Sequence, residues 1–359
     1  MNIKLTRDLM QKLPKTDLHV HLDGSVRVDT IIDLAKQFHI QLPTMEPTEL
    51  RKLIVCDENT SSLEEYLRGF DIVNLVLQTK EALYRAAYEL AEDAAKENVR
   101  YMEVRFAPIL HTKRGLNIAE ITQAVIDGLK KAERDFPIET GVIICGLRNM
   151  DPSISVKLAE LAVAFKNKGV VGFDLAGSER NYPAIEHKEA FELSFKNNLN
   201  ITIHAGEACG PESIFQAIHY CGAHRIGHGT HLFEDGDLLN YVNDHRIPLE
   251  ICLKSNVHTK AVPDIHSHPL DFYIDYGIRV TINTDNRTIS DTTVTDEYML
   301  AINEFHLDYP TIKNVILNGF KSAFLPYKER VRLINETLRE LEELEKDELK
   351  TTIKMKENL

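Results

Sequence analysis

Eight short segments rich in apolar and β-branched residues recur along the chain, and helical patterns fill the intervals between them. They are TDLHVHL (16–22), YMEVRFAP (101–108), TGVIICGLRN (140–149), VVGFDLAG (170–177), ITIHAGE (201–207), RIGHGTHL (225–232), PLEICLKSN (248–256) and RVTINTD (279–285). Several are near-continuous apolar runs, as strands covered by helices on both faces require. Between the second and third segments, Ile118, Ile121, Val125 and Leu129 repeat at helical spacing, and Ile154, Leu158, Leu161 and Phe165 do so between the third and fourth. Beyond the first interval the segments recur about every 25–40 residues, the length of a parallel crossover unit. Eight such units predict a closed (β/α)₈ barrel of the TIM type, with an open doubly wound sheet as the alternative.

The first interval is longer than the rest. Residues 24–97 hold several helical patterns, and Ser61-Ser62-Leu63-Glu64 reads as a capping box opening a helix that runs to about Leu77. A helical insertion after strand one lies over the C-terminal mouth of a barrel, so a lid is expected there. Further helices follow the eighth segment. One domain over residues 1–345 is expected, with a charged tail at 346–359.

A chain of 359 residues that is 43% hydrophobic can bury a large core. Its formal charge of −13 and lack of a basic stripe argue against nucleic acid or an anionic membrane as partner. No stretch approaches the roughly 20 apolar residues that span a bilayer. The opening MNIKLTRDLMQKLPKTD has no signal-peptide core. The cysteines (Cys56, Cys145, Cys209, Cys221, Cys252) are scattered, with no CxxC pair, and read as reduced thiols. A cytoplasmic protein is expected, with no protein partner implied.

The notable polar residues cluster near the C-terminal ends of the segments, which in a barrel form the catalytic rim. His19 and His21 end the first segment at i and i+2, so both imidazoles point to one side of a strand. His204 and Glu207 end the fifth, His228 lies between glycines in the sixth, and Asp285 ends the eighth. Each alone is explained by a satisfied core histidine or a helix cap. Together on one rim they point to a metal site. Three imidazoles and a carboxylate suit zinc or a similar first-row ion better than magnesium or calcium, which take more oxygens. Such an ion lowers the pKa of a bound water. Glu207, beyond its strand end, is free to act as an acid or base, and His228 to orient or deprotonate that water. GxSxG, GxxxxGK[ST], HExxH and the HxE…PCxxC pattern of cytidine-type deaminases are all missing.

In order and wording these stretches resemble the adenosine deaminase family of the metal-dependent amidohydrolases. The resemblance rests on LPKTDLHVHLDGSVR (13–27), YMEVRFAP (101–108), DLAGSE (174–179), HAGE (204–207), RIGHGTHL (225–232), EICLKSN (250–256) and TINTDNR (281–287). It implies one zinc ion held by His19, His21, His204 and Asp285. It further implies Glu207 protonating the purine N1 while hydroxide attacks C6, and His228 stabilising the hydroxide and the tetrahedral adduct. The Gly177 amide would meet N3, and Leu63, Tyr66, Leu67 and Phe70 would form the apolar underside of the lid. The implied substrate is a small purine nucleoside, adenosine or 2′-deoxyadenosine, bound also by His21. Asp23 in HLDG is where the family's nucleoside deaminases hold the ribose 5′-hydroxyl; adenine deaminases tend to carry glutamate. The alternatives are therefore an adenine deaminase, a deaminase of a modified adenine nucleoside, or a catalytically silent nucleoside binder. One residue departs from the family: a second aspartate commonly follows the metal-binding one, and here it is Asn286. The family places this position against N7, which has a lone pair and no hydrogen, so an amide donor fits it. Helix or turn capping is the competing explanation.

Overall fold

The computed structural model describes residues 3–57 and 66–357. All eight segments form strands: β1 (Lys15–His21), β2 (Val99–Phe106), β3 (Glu139–Leu147), β4 (Val170–Ala176), β5 (Asn200–Ala205), β6 (Arg225–His228), β7 (Leu249–Ile251) and β8 (Val280–Ile282). They pair in parallel in the order β1 through β8. Closure runs through Asp285, whose N–H donates to the His19 carbonyl at 2.7 Å and whose carbonyl accepts from His21 N–H at 2.7 Å. The expected barrel is therefore the observed one, and the open sheet is excluded.

The last three strands are shorter than the sequence pattern suggested. In the seventh segment, the apolar run continues past Ile251 into a helix, Leu253–His258. A buried helix turn and a buried strand are equally apolar, so periodicity cannot place that boundary. Helices Ile118–Asp135 and Pro152–Phe165 bury most of the expected faces: Ile121, Val125, Leu129, Leu158 and Leu161 are buried, and Ile118, Ile154 and Phe165 partly so. A capping box does open Ile118–Asp135, where Asn117 and Glu120 exchange side-chain and backbone hydrogen bonds. The Ser61–Glu64 box and Leu63 lie outside the described residues.

Four described helices separate β1 from β2: Val28–Gln37, Pro47–Ile54, Arg68–Val76 and Lys80–Lys96. The last packs on β2 and on Ile118–Asp135, as a crossover helix does. Those before it are additions to the barrel plan. After β8 come Val294–Phe305, Tyr309–Ser322 and one long helix, Tyr327–Glu357, which runs unbroken across residues 345 and 346. Among the described residues no helix is long and apolar enough to cross a membrane.

Helix Leu253–His258, which carries residues of the rim, is held at its start by Glu297. That carboxylate accepts from Lys254 N–H at 3.3 Å and from Thr292 Oγ at 2.9 Å. Burial pushes Glu297 up to about 8, against about 4.3 in an unfolded chain. Folding therefore takes up a proton between these values, and stability falls as pH rises from the lower through the higher. Glu297→Gln has no charge to bury and keeps one donor and one acceptor. Its thermal midpoint should exceed the wild type's by more at pH 9 than at pH 5, with a limit of about 1.4 kcal/mol per pH unit inside the window. A gap that does not widen with pH would refute the assignment.

Candidate active site

His19 and His21 project from β1 toward the barrel axis, and His204 meets them from β5. His19 Nε2 lies 3.0 Å from His204 Nε2, and His21 Nε2 lies 3.1 Å from it. Asp285 Oδ1 is 3.5 Å from His19 Nε2 and 3.4 Å from His21 Nε2. Asp285 and His228 both hold left-handed backbone, with φ of 58° and 64°. Non-glycine residues adopt that region at a cost, so both side chains are aimed by the surrounding structure and not by local preference. Gly227 lets the rings close up, since a Cβ there would stand 2.9 Å from His19 Cε1.

The outward nitrogens of two rings are fixed by buried carboxylates. His19 Nδ1 lies 2.9 Å from Glu250 Oε2, and His204 Nδ1 lies 3.1 Å from Asp174 Oδ2. Each Nδ1–H donates outward, so each Nε2 presents a lone pair inward. Two lone pairs at 3.0 Å repel unless a cation lies between them. Burial holds His19 down to about 4 and His21 well below its ordinary value, which keeps both rings neutral, the form that ligates. The donor set therefore fits a metal ion. Donor atoms of His19, His204, Asp285 and His228 also lie within 4.8 Å of one another. His228 is oriented differently. Its Nδ1 accepts from Asn256 Nδ2 at 2.9 Å, so in the neutral ring the proton is on Nε2 and no lone pair faces the cluster.

Above the cluster is a cavity of about 250 Å³, lined by His21, Asp23, Tyr66, Leu67, Phe70, Gly177, His204, Glu207, His228, Asp285 and Asn286 among others. The structure thus brings every described residue expected at the site to one place, with His19 immediately beneath. Gly177 has φ of 92°, which side-chain-bearing residues adopt only under strain. Glu207 Oε2 is 3.7 Å from His228 Nε2, and burial raises the Glu207 carboxyl above its usual range. Burial also pushes Asp23 up to about 6, against a hydrogen bond from Asn74. The Glu207 loop is held by Glu179, whose carboxylate accepts the backbone N–H groups of Gly206, Glu207, Ala208 and Cys209 at 2.6–3.0 Å.

Glu179, Asp174, Glu250 and Arg105 lie within the motifs DLAGSE, EICLKSN and YMEVRFAP, where their spacing alone assigns them no task. Arg105 joins Asp174 at 3.0 Å to Glu250 at 2.8 Å, all fully buried. The available signal was a charged residue inside an otherwise apolar strand, which is rarely buried without a partner. Asn74, Asn149 and Cys145 also line the cavity and carried no such signal.

A parallel eight-stranded barrel with imidazoles and an aspartate gathered at its C-terminal rim is the architecture of a metal-dependent hydrolase. Known proteins narrow this. The model of the adenosine deaminase family matches residues 14–340. An adenosine deaminase of Clostridium acetobutylicum is 41% identical over 334 residues, covering 93% of this chain and 99% of that protein. A probable adenosine deaminase of Dictyostelium discoideum is 43% identical over 333 residues, covering 92% of this chain; the chain spans 43% of that longer protein. The structure of an adenine deaminase from Arthrobacter aurescens superposes with a TM-score of 0.86 at 25% identity, covering 92% of this chain and 99% of that one. The chain belongs to the adenosine deaminase family.

Gly227→Ala tests the close packing of the rim. Its methyl group must displace the His19 ring, and disturbing ligand orientation typically costs about 10–100-fold in metal affinity. Metal retained after dialysis against a graded chelator series should fall accordingly while the fold persists by circular dichroism. Unchanged retention would show that the contact is not restrictive.

Proposed function

We propose that this chain hydrolyses adenosine, and 2′-deoxyadenosine, to the inosine product and ammonia. The observation that carries the proposal is a buried Glu207 beside His228, in one cavity with the converging imidazoles. His19, His21, His204 and Asp285 would hold one zinc ion. When bound, that ion supplies the Lewis acidity that makes a water nucleophilic at neutral pH.

The chain's own residues do the rest. Glu207, whose carboxyl burial raises, donates a proton to N1 and draws electron density from C6. His228 keeps its Nε2–H toward the cavity through Asn256, so it can hold the attacking oxygen and the charge that develops on it. Water adds to C6, and the amino group leaves as ammonia once it has gained a proton. Asp23 accepts from the ribose 5′-hydroxyl, the Gly177 amide meets N3, and the Asn286 amide meets N7. Tyr66, Leu67 and Phe70 form the underside of a lid that excludes water.

General acids contribute about 10²–10⁴-fold. Glu207→Gln should lose at least that in kcat, measured by ammonia release, while metal analysis shows its ion retained. Loss of the ion would make Glu207 a ligand and overturn its role. The adenine-specific reading is separated by substrate. With Asp23 unpaired in a dry site, adenine and 5′-deoxyadenosine should each be poorer than adenosine by about 5- to 150-fold in kcat/KM. Equal values for adenine and adenosine would favour an adenine deaminase.

A further inference from the structure

Asn286 has a neighbour whose hydroxyl the reaction scheme leaves unused. Its Nδ2 donates to the Tyr66 hydroxyl at 2.9 Å, and that hydroxyl lies 2.6 Å from Ser290 Oγ. All three side chains are buried. Asn286 Oδ1 has no hydrogen-bond partner among the described residues. It is pressed against Gly24, where an added Cβ would collide with it. The oxygen is thus turned toward backbone, and the nitrogen is the end of the amide next to Tyr66, which itself lines the cavity.

A primary amide placed like this has a second orientation, with oxygen and nitrogen exchanged. In that orientation the Tyr66 O–H would donate to Oδ1, and the cavity would meet a carbonyl. A carbonyl is the wrong group for N7, because both atoms bring lone pairs and neither brings a hydrogen. The observed orientation gives one Nδ2 hydrogen to Tyr66 and leaves the second for the ring. What separates the two is the direction of the Tyr66 O–H. While Ser290 accepts it, the phenol oxygen is left as an acceptor, and only the amide nitrogen can pair with it. Burial keeps the phenol well above its ordinary pKa, so the hydrogen is retained at any working pH. The orphaned Oδ1 disfavours this arrangement, so the hydroxyl chain must outweigh that cost.

The geometry points to Tyr66 as a positioning and specificity-determining residue. Its hydroxyl, polarised by Ser290, holds the Asn286 amide with nitrogen toward the substrate and so confers recognition of purine N7. This rests on the proposed contact between Asn286 and N7, and adds to it the residues that make asparagine serve at that position.

The test compares kcat/KM for adenosine and for 7-deazaadenosine, which carries C–H in place of N7, in wild type, Tyr66→Phe and Ser290→Ala. Wild type should prefer adenosine by about 5- to 150-fold, the range for one buried hydrogen bond. Tyr66→Phe keeps the ring and removes the hydroxyl, so adenosine should fall by most of that factor while 7-deazaadenosine stays near its wild-type value. Ser290→Ala, at a residue outside the cavity lining, should shift the ratio the same way by freeing the Tyr66 O–H to turn to Oδ1, and by less than Tyr66→Phe because Ser255 also lies within reach of the phenol. It carries the test alone if Tyr66→Phe fails to fold. A parallel fall for both substrates, or an unchanged ratio, makes the hydroxyl a packing feature and overturns the inference while the Asn286 contact stands. Equal rates for both substrates in wild type would overturn the contact and the inference with it.

Discussion

Glu250 is the carboxylate on which the arrangement of the barrel interior depends. Its Oε2 accepts from His19 Nδ1 at 2.9 Å and from Arg105 at 2.8 Å, and its Oε1 accepts from Arg225 at 2.6 Å and from Thr202 at 2.9 Å. Arg225 continues to Glu103, and Arg105 to Asp174, which in turn fixes His204. A single buried charge in this setting would cost several kcal/mol, so the chain of pairs stands or falls as a unit. Together with Asp285 it comprises four carboxylates and two guanidinium groups. Two negative charges are left over beside the imidazoles, the electrostatic complement of a divalent cation.

The same interior separates two kinds of carboxyl by their partners alone. Glu250 and Glu207 are both buried, and burial raises both. At Glu250 the charges of Arg105 and Arg225 outweigh it and hold the group ionised. At Glu207 burial is the largest influence and raises the group; His228 and His204 oppose it, and the nearby carboxylates of Asp285 and Glu179 add to it. One residue type thus provides an anion that orients His19 and a carboxyl, raised by burial, that faces the cavity. The division follows from where the two arginines on β2 and β6 reach, and neither arginine lines the cavity.

Much of this was legible in the chain because it is written in local periodicity. Apolar runs separated by amphipathic intervals fix eight strands, and parity within a strand puts His19 and His21 on one side. A polar residue at a strand end is placed on the rim by the fold alone. The reading weakened where periodicity is ambiguous. The seventh segment hides a helix turn, because Leu253 and its neighbours are as apolar as the strand before them.

What the sequence determined, then, is the list of elements and the residues each delivers to the rim, since both follow from spacing over a few residues. Tertiary structure alone decided how those residues are used. The tautomer of His19 is set by Glu250, 231 residues away, and the orientation of the Asn286 amide by Tyr66, 220 residues away. Left-handed backbone at His228 and Asp285 has no local signature in the sequence either. Hydrogen-bond direction depends on which partner lies opposite each atom, and pairing over such separations is fixed when the eighth strand meets the first.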